Sequence, residues 1–105
     1  MPPQNVTSYS PSPEILSIAW DYHKTVDGFV VMYREYYQTA DPYVLYGADG
    51  MNVTFTWLKP GTWYAYRVVP FEKARGNGVA TELFKVKTVE KRAFITFFYN
   101  FSFYC

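Results

Sequence analysis

The sequence predicts an all-β protein, with seven short antiparallel strands folded as a two-layered Greek-key sandwich. Three observations carry that expectation. The chain has 105 residues, half of them hydrophobic and 22% aromatic, which suits a single domain that buries roughly 65% of its unfolded surface. Apolar residues alternate with polar ones in short runs separated by turn residues, with no helical stretch between them. A stretch over residues 58–68, Leu-Lys-Pro-Gly-Thr-Trp-Tyr-Ala-Tyr-Arg-Val, reads as a sharp corner feeding a strand.

In that stretch Pro60 presets its own φ and Gly61 accepts φ > 0, so the pair turns the chain. Beyond it Tyr64, Tyr66 and Val68 share one face and Trp63, Ala65 and Arg67 the other. The Tyr64 phenol stands at the start of the strand and needs a partner. A bond back to the backbone of the preceding turn would make a tyrosine corner.

The other elements follow in order. Residues 3–9 form an edge strand, where prolines are tolerated, and 10–13 (Ser-Pro-Ser-Pro) a connection. Residues 15–20 form the second strand, with Leu16, Ile18 and Trp20 inward and Trp20 a core residue. Residues 27–37 form the third, with Phe29, Val31 and Tyr33 inward and Val30, Met32, Arg34 and Tyr36 outward. Residues 38–42 turn, 43–46 form a short fourth strand and 47–50 turn again. The fifth strand covers 51–57, with Val53 and Phe55 inward and Asn52 and Thr54 outward. The sixth runs from the corner to about residue 71. The loop over 72–78 contains Asn77-Gly78, a strong hairpin signal because both residues tolerate φ > 0. The seventh strand covers 81–89, with Phe84 and Val86 inward and Leu83, Lys85 and Lys87 outward.

Leu58-x-Pro60-Gly61-Thr62-x-Tyr64-x-Tyr66-x-Val68 resembles the fibronectin type III module. The resemblance extends to Pro3-x-Asn5-Val6, Leu16-x-Ile18-x-Trp20, Gly28-Phe29-x-Val31-x-Tyr33-Arg34, Gly76-x-Gly78-x-x-Thr81 and Phe84-x-Val86-x-Thr88. These occur in the family's order and spacing over residues 2–89. Pro70 and Trp57 depart from it; glycine or another small residue is common at the position of Trp57. The resemblance implies an immunoglobulin-like sandwich with strands one, two and five in one sheet and strands three, four, six and seven in the other. It makes Trp20, Leu58, Pro60, Gly61 and Tyr64 structural. It assigns no counterpart to residues 90–105, an extension that holds five of the nine phenylalanines. Family members that bind integrins carry Arg-Gly-Asp in the loop where this chain has Arg75-Gly76-Asn77, which lacks the carboxylate.

Composition narrows the function. The net charge is +1, which gives no electrostatic basis for nucleic-acid binding. No apolar run reaches the ~18 residues of a membrane span. One histidine, His23, and one cysteine, Cys105, leave no metal cluster and no nucleophile–base pair, and no glycine-rich phosphate loop is present. No catalytic residue, cofactor or metal is therefore expected. The outward residues Met32, Arg34, Trp63, Arg67, Lys85 and Lys87 would gather on one sheet, where cations can stack on the indole. They describe a solvated face whose cations shield its flat apolar parts or, alternatively, a partner surface.

Three of the four asparagines, Asn5, Asn52 and Asn100, lie in Asn-x-Ser/Thr sequons, although 14 Ser and Thr in 105 residues would place only about half a sequon by chance. Residues 1–6 lack the basic and apolar regions of a signal peptide. The expectation is a fragment of a longer secreted or membrane-anchored protein. In it this chain is a non-catalytic interaction or spacer module that meets a protein partner or neighbouring domains. An intracellular scaffold module of the same fold, or an accessory domain attached to an enzyme, are the alternatives.

Overall fold

The structure is a computed structural model that describes residues 2–37 and 43–91. The strands are β1 (Gln4–Ser12), β2 (Ile15–Asp21), β3 (Gly28–Glu35), β4 (Val44–Ala48), β5 (Asn52–Phe55), β6 (Trp63–Glu72), β7 (Gly76–Asn77) and β8 (Phe84–Lys87). They form a three-stranded sheet in the order β1-β2-β5. A five-stranded sheet runs β4-β3-β6-β7, with β8 also paired to β6. All pairings are antiparallel. The chain crosses between sheets after β2, β4 and β5, which is Greek-key connectivity. This is the expected sandwich and the expected partition of strands, with one strand more than the seven predicted.

The core lies between the layers. Ile18, Trp20, Val53 and Phe55 from the smaller sheet meet Phe29, Val31, Tyr66 and Val68 from the larger. In β2 and β5 every second residue is buried, so the inner face of the smaller sheet is apolar. Trp20 and Phe29 pack edge to face at 5.3 Å, and Tyr33 meets Phe55 at 4.2 Å. Tyr66 brings a hydroxyl into this core and satisfies it by donating to Ser8 Oγ of β1 at 2.9 Å, which ties the two sheets together.

The corner is built from hydrogen bonds. The Lys59 N–H donates to Tyr64 Oη at 2.9 Å. Thr88, just past β8, is buried against the same turn. Its Oγ1 accepts from the Thr62 N–H at 2.9 Å and donates to the Lys59 carbonyl at 2.7 Å. Gly61, at φ 57, donates its N–H to the Val89 carbonyl at 3.1 Å. Both the turn and the end of the last strand are thereby fixed to each other.

Four expectations about element limits need correcting. Ser10, Pro11 and Ser12 belong to β1 and not to a loop. The register shifts between Tyr9 and Ser12, so Pro11 sits in a bulge of an edge strand where no ladder N–H is required. Gly47 and Ala48 are in β4, paired with Val30 and Phe29, and not in a turn. The hairpin after β6 turns through Lys73, Ala74 and Arg75, not through Asn77-Gly78. The Arg75 N–H donates to the Glu72 carbonyl at 3.2 Å and Gly76 takes φ 82, a three-residue loop closed by a left-handed glycine. Asn77 pairs with Phe71 as part of β7, the extra strand. Lastly, the final strand covers Phe84–Lys87, shorter than 81–89. Thr81 accepts the Val68 N–H on Oγ1 at 3.0 Å while its own N–H donates to the Val68 carbonyl at 3.0 Å, so a side chain replaces the ladder there. The turn expected at 38–42 and most of the extension expected at 90–105 lie outside the described residues.

Burial pushes the Tyr66 phenol above the ordinary tyrosine value of 10.0, and the bond to Ser8 offsets part of the rise. Burial raises Tyr64 likewise, against the opposing bond from Lys59. Below pH 10 both phenols are protonated in the folded and unfolded chain, so neither makes stability vary with pH. Above it the unfolded phenols ionise first and stability falls. Urea unfolding between pH 8 and 11 is expected to show this loss, and Tyr66→Phe to flatten it.

Candidate functional site

The outward face of the five-stranded sheet collects the side chains expected to form a partner surface, of which Lys85 and Lys87 are exposed and the rest half-buried. Its rows follow from register. Met32 stands between Leu45 and Arg67. Arg34, Ala65 and Lys85 form the next row, and Trp63 pairs with Lys87. The structure therefore brings Met32, Arg34, Trp63, Arg67, Lys85 and Lys87 to one face, because all six share one parity of the pleat.

Two of the cations on this face, Arg34 and Lys85, are positioned by aromatic rings. Lys85 Nζ lies 4.6 Å from the Tyr36 ring centroid and 5.0 Å from that of Trp63. Arg34 Cζ lies 4.3 Å from the Tyr43 centroid. Each such contact is worth about 0.5–1 kcal/mol at an exposed site and holds a long side chain in place. The outward positions of β3, β4, β6 and β8 carry four cations and no carboxylate. Glu90, beyond β8, reaches Lys87 at 3.2 Å. Arg67 Nε is buried without a hydrogen-bond partner. Met32, Leu45 and Phe71 line a groove of about 660 Å³ beside the cations, together with Asp27, Asp49 and Lys73, so that end of the face mixes apolar side chains with two carboxylates.

Tyr43 and Leu45 were not among the residues expected here. The period of two already put Tyr36 in register with Arg34, but Tyr43 and Leu45 join through the β3–β4 pairing, which no local pattern specifies.

The smaller sheet presents the sequons. Asn52 and Thr54 are exposed on β5, which among the described residues is the edge strand of its sheet. Asn5 is exposed on β1 at φ 52, and its Nδ2 donates to Asp21 Oδ2 at 3.0 Å. Asn100 lies outside the described residues. Among the described residues no three His, Cys, Asp or Glu side chains converge on a metal-sized site, and no helix is long and apolar enough to cross a membrane.

One further residue stands out at the end of the sandwich where β5 leads into the corner. Trp57 is 88% exposed and takes φ 63. With Pro13, Ile15 and Lys91 it borders a cleft of about 410 Å³. A left-handed conformation costs a residue with Cβ about 1–2 kcal/mol, and an exposed indole recovers little of that by burial.

Comparison of the whole fold decides what kind of module this is. The fn3 domain of human collagen alpha-1(XX) chain superposes with a TM-score of 0.75 at 22% identity, over 86% of this chain and 86% of that one. The fibronectin type III fold is the fold of this chain. The fn3 domain of human contactin 1 matches with a TM-score of 0.71 at 19% identity, over 86% of this chain and 78% of that one. In sequence, neogenin of Rattus norvegicus and of Mus musculus are each 29% identical over 90 residues, which is 84% of this chain. The chain spans only 6% of the length of those curated relatives. No family model matches the chain.

Within the fibronectin type III fold, Trp57 holds a left-handed position, which glycine adopts without a Cβ penalty. Trp57→Gly is expected to raise stability by about 0.5–1 kcal/mol, the relief of left-handed strain less the freedom glycine adds to the unfolded chain. The urea midpoint checks this, and a lower midpoint would mean that the indole makes stabilising contacts.

Proposed function

We infer that this chain is a non-catalytic protein-interaction module of an extracellular adhesion- or receptor-type protein, and that the outward face of its five-stranded sheet docks an acidic region of a protein partner. One observation carries the docking face. Lys85 is held between Tyr36 and Trp63 on a surface whose outward strand positions carry four cations and no carboxylate. Ordered cations suit an acidic partner, and Trp and Arg are enriched where interfaces concentrate their binding energy. The extracellular setting is supported by the likeness to neogenin and to domains of contactin and collagen, and by the sequons.

The test places a photo-crosslinking residue at position 45 of the full-length parent protein on its own cells, with position 24 on a distant loop as control; Leu45 lies on the same face beside Met32 and leaves the rings around Lys85 intact. A discrete crosslinked protein is expected from position 45 only. Its yield should fall at least several-fold when Arg67→Ala and Lys85→Ala are combined in a chain that melts normally. No discrete product, or one indifferent to both substitutions, would mean that the face is simply solvated.

A further inference from the structure

We propose that Asn52 carries an N-linked glycan that lies over the outward face of the three-stranded sheet. This rests on the extracellular reading above. Asn52 and Thr54 are the first and third residues of a sequon, and strand period places both on the solvent face of β5. Asn52 is exposed, and among the described residues no hydrogen bond engages its side-chain amide. Asn5 is different: its amide already donates to Asp21 and its backbone is left-handed.

The surface around Asn52 suits a carbohydrate. Across the sheet Asn52 pairs with Ala19, and Ala19 with Thr7. In the next row Thr54 pairs with Ser17, and Ser17 with Tyr9. None of these six residues is charged and five of them are small or of middle size, so sugars can approach the sheet closely. Tyr9, 62% exposed, offers a ring face of the kind pyranoses stack on. β5 is also an edge strand, and a bulky substituent there hinders pairing with a second chain. The glycan would occupy the sheet opposite the cationic face and leave that face open.

The modification is a group transfer without redox change. Asn52 Nδ2 bonds to the anomeric carbon of a lipid-pyrophosphate-linked oligosaccharide. The bond from that carbon to the pyrophosphate oxygen breaks, the lipid pyrophosphate leaves with the electron pair, and one amide proton is lost. The donor is supplied by the lumen of the secretory pathway.

The complete 105-residue chain, translated behind a cleavable secretory leader in the presence of microsomes, tests the site. Protease-protected chain is expected to lose mass with peptide-N-glycosidase, and its peptide map to show aspartate at position 52. Asn52→Gln and Thr54→Ala should each abolish that product; the second leaves the acceptor asparagine untouched. Unmodified Asn52 in protease-protected chain overturns the proposal. A glycosidase blot of the native source separates the underlying reading: a native chain that never leaves the cytosol overturns the extracellular assignment, and the glycan with it.

Discussion

Trp20→Ala is expected to lower the unfolding free energy by about 3–5 kcal/mol. Trp20 is nearly fully buried on β2 and packs edge to face on Phe29 of the opposite sheet, so the indole fills space that both layers share. Alanine would leave a cavity walled by β-strands, whose backbone is held by ladders on either side and relaxes little. Small domains are stable by about 5–15 kcal/mol in total, so this one change removes a large part of the margin. Trp20→Phe should cost much less. Trp20 Nε1 has no hydrogen-bond partner, and removing a buried orphan donor offsets part of the lost volume. Urea unfolding followed by near-ultraviolet dichroism compares the three proteins. An alanine variant that unfolds with the parent would contradict the packing described for the sandwich.

The second large effect is expected at Thr88. Thr88→Val keeps the shape but removes the hydroxyl that accepts from the Thr62 N–H and donates to the Lys59 carbonyl. The half-buried Thr62 N–H then loses its acceptor, and a donor left without a partner costs about 1–3 kcal/mol. Thr88→Ser retains the hydroxyl and should lose only the contribution of one methyl. The same unfolding experiment separates them. If valine and serine destabilise equally, methyl packing and not the hydroxyl holds the corner.

The corner itself was legible in the sequence. Pro60-Gly61 announces a turn and Tyr64 opens the following strand, and both are local rules about φ and side-chain parity. Strand parity also foretold that Leu16, Ile18 and Trp20 point inward, and with the sheet partition that the resemblance implied it put Met32, Arg34, Arg67 and Lys85 on one face. Where local rules misled, a partner elsewhere in the chain had overridden them. Pro11 looked like a loop residue, yet an edge strand asks nothing of its missing N–H. Ala48 looked like a turn residue until β3 paired with it. Asn77-Gly78 looked like the hairpin turn, but Gly76 takes the left-handed position and puts Asn77 into a strand.

By itself, then, the sequence determined the all-β architecture, the inward face of each strand, the corner and the sequons. These depend on alternation, on turn stereochemistry and on short motifs, all expressed within a few residues. Only the tertiary structure decided the rest. It set Lys85 between Tyr36 and Trp63, brought Tyr43 and Leu45 beside Arg34 and Met32, and closed the corner with Thr88. It also engaged Asn5 while leaving Asn52 free. Each of these depends on which strands pair and in what register, a choice fixed by the burial of the whole core and by no single segment.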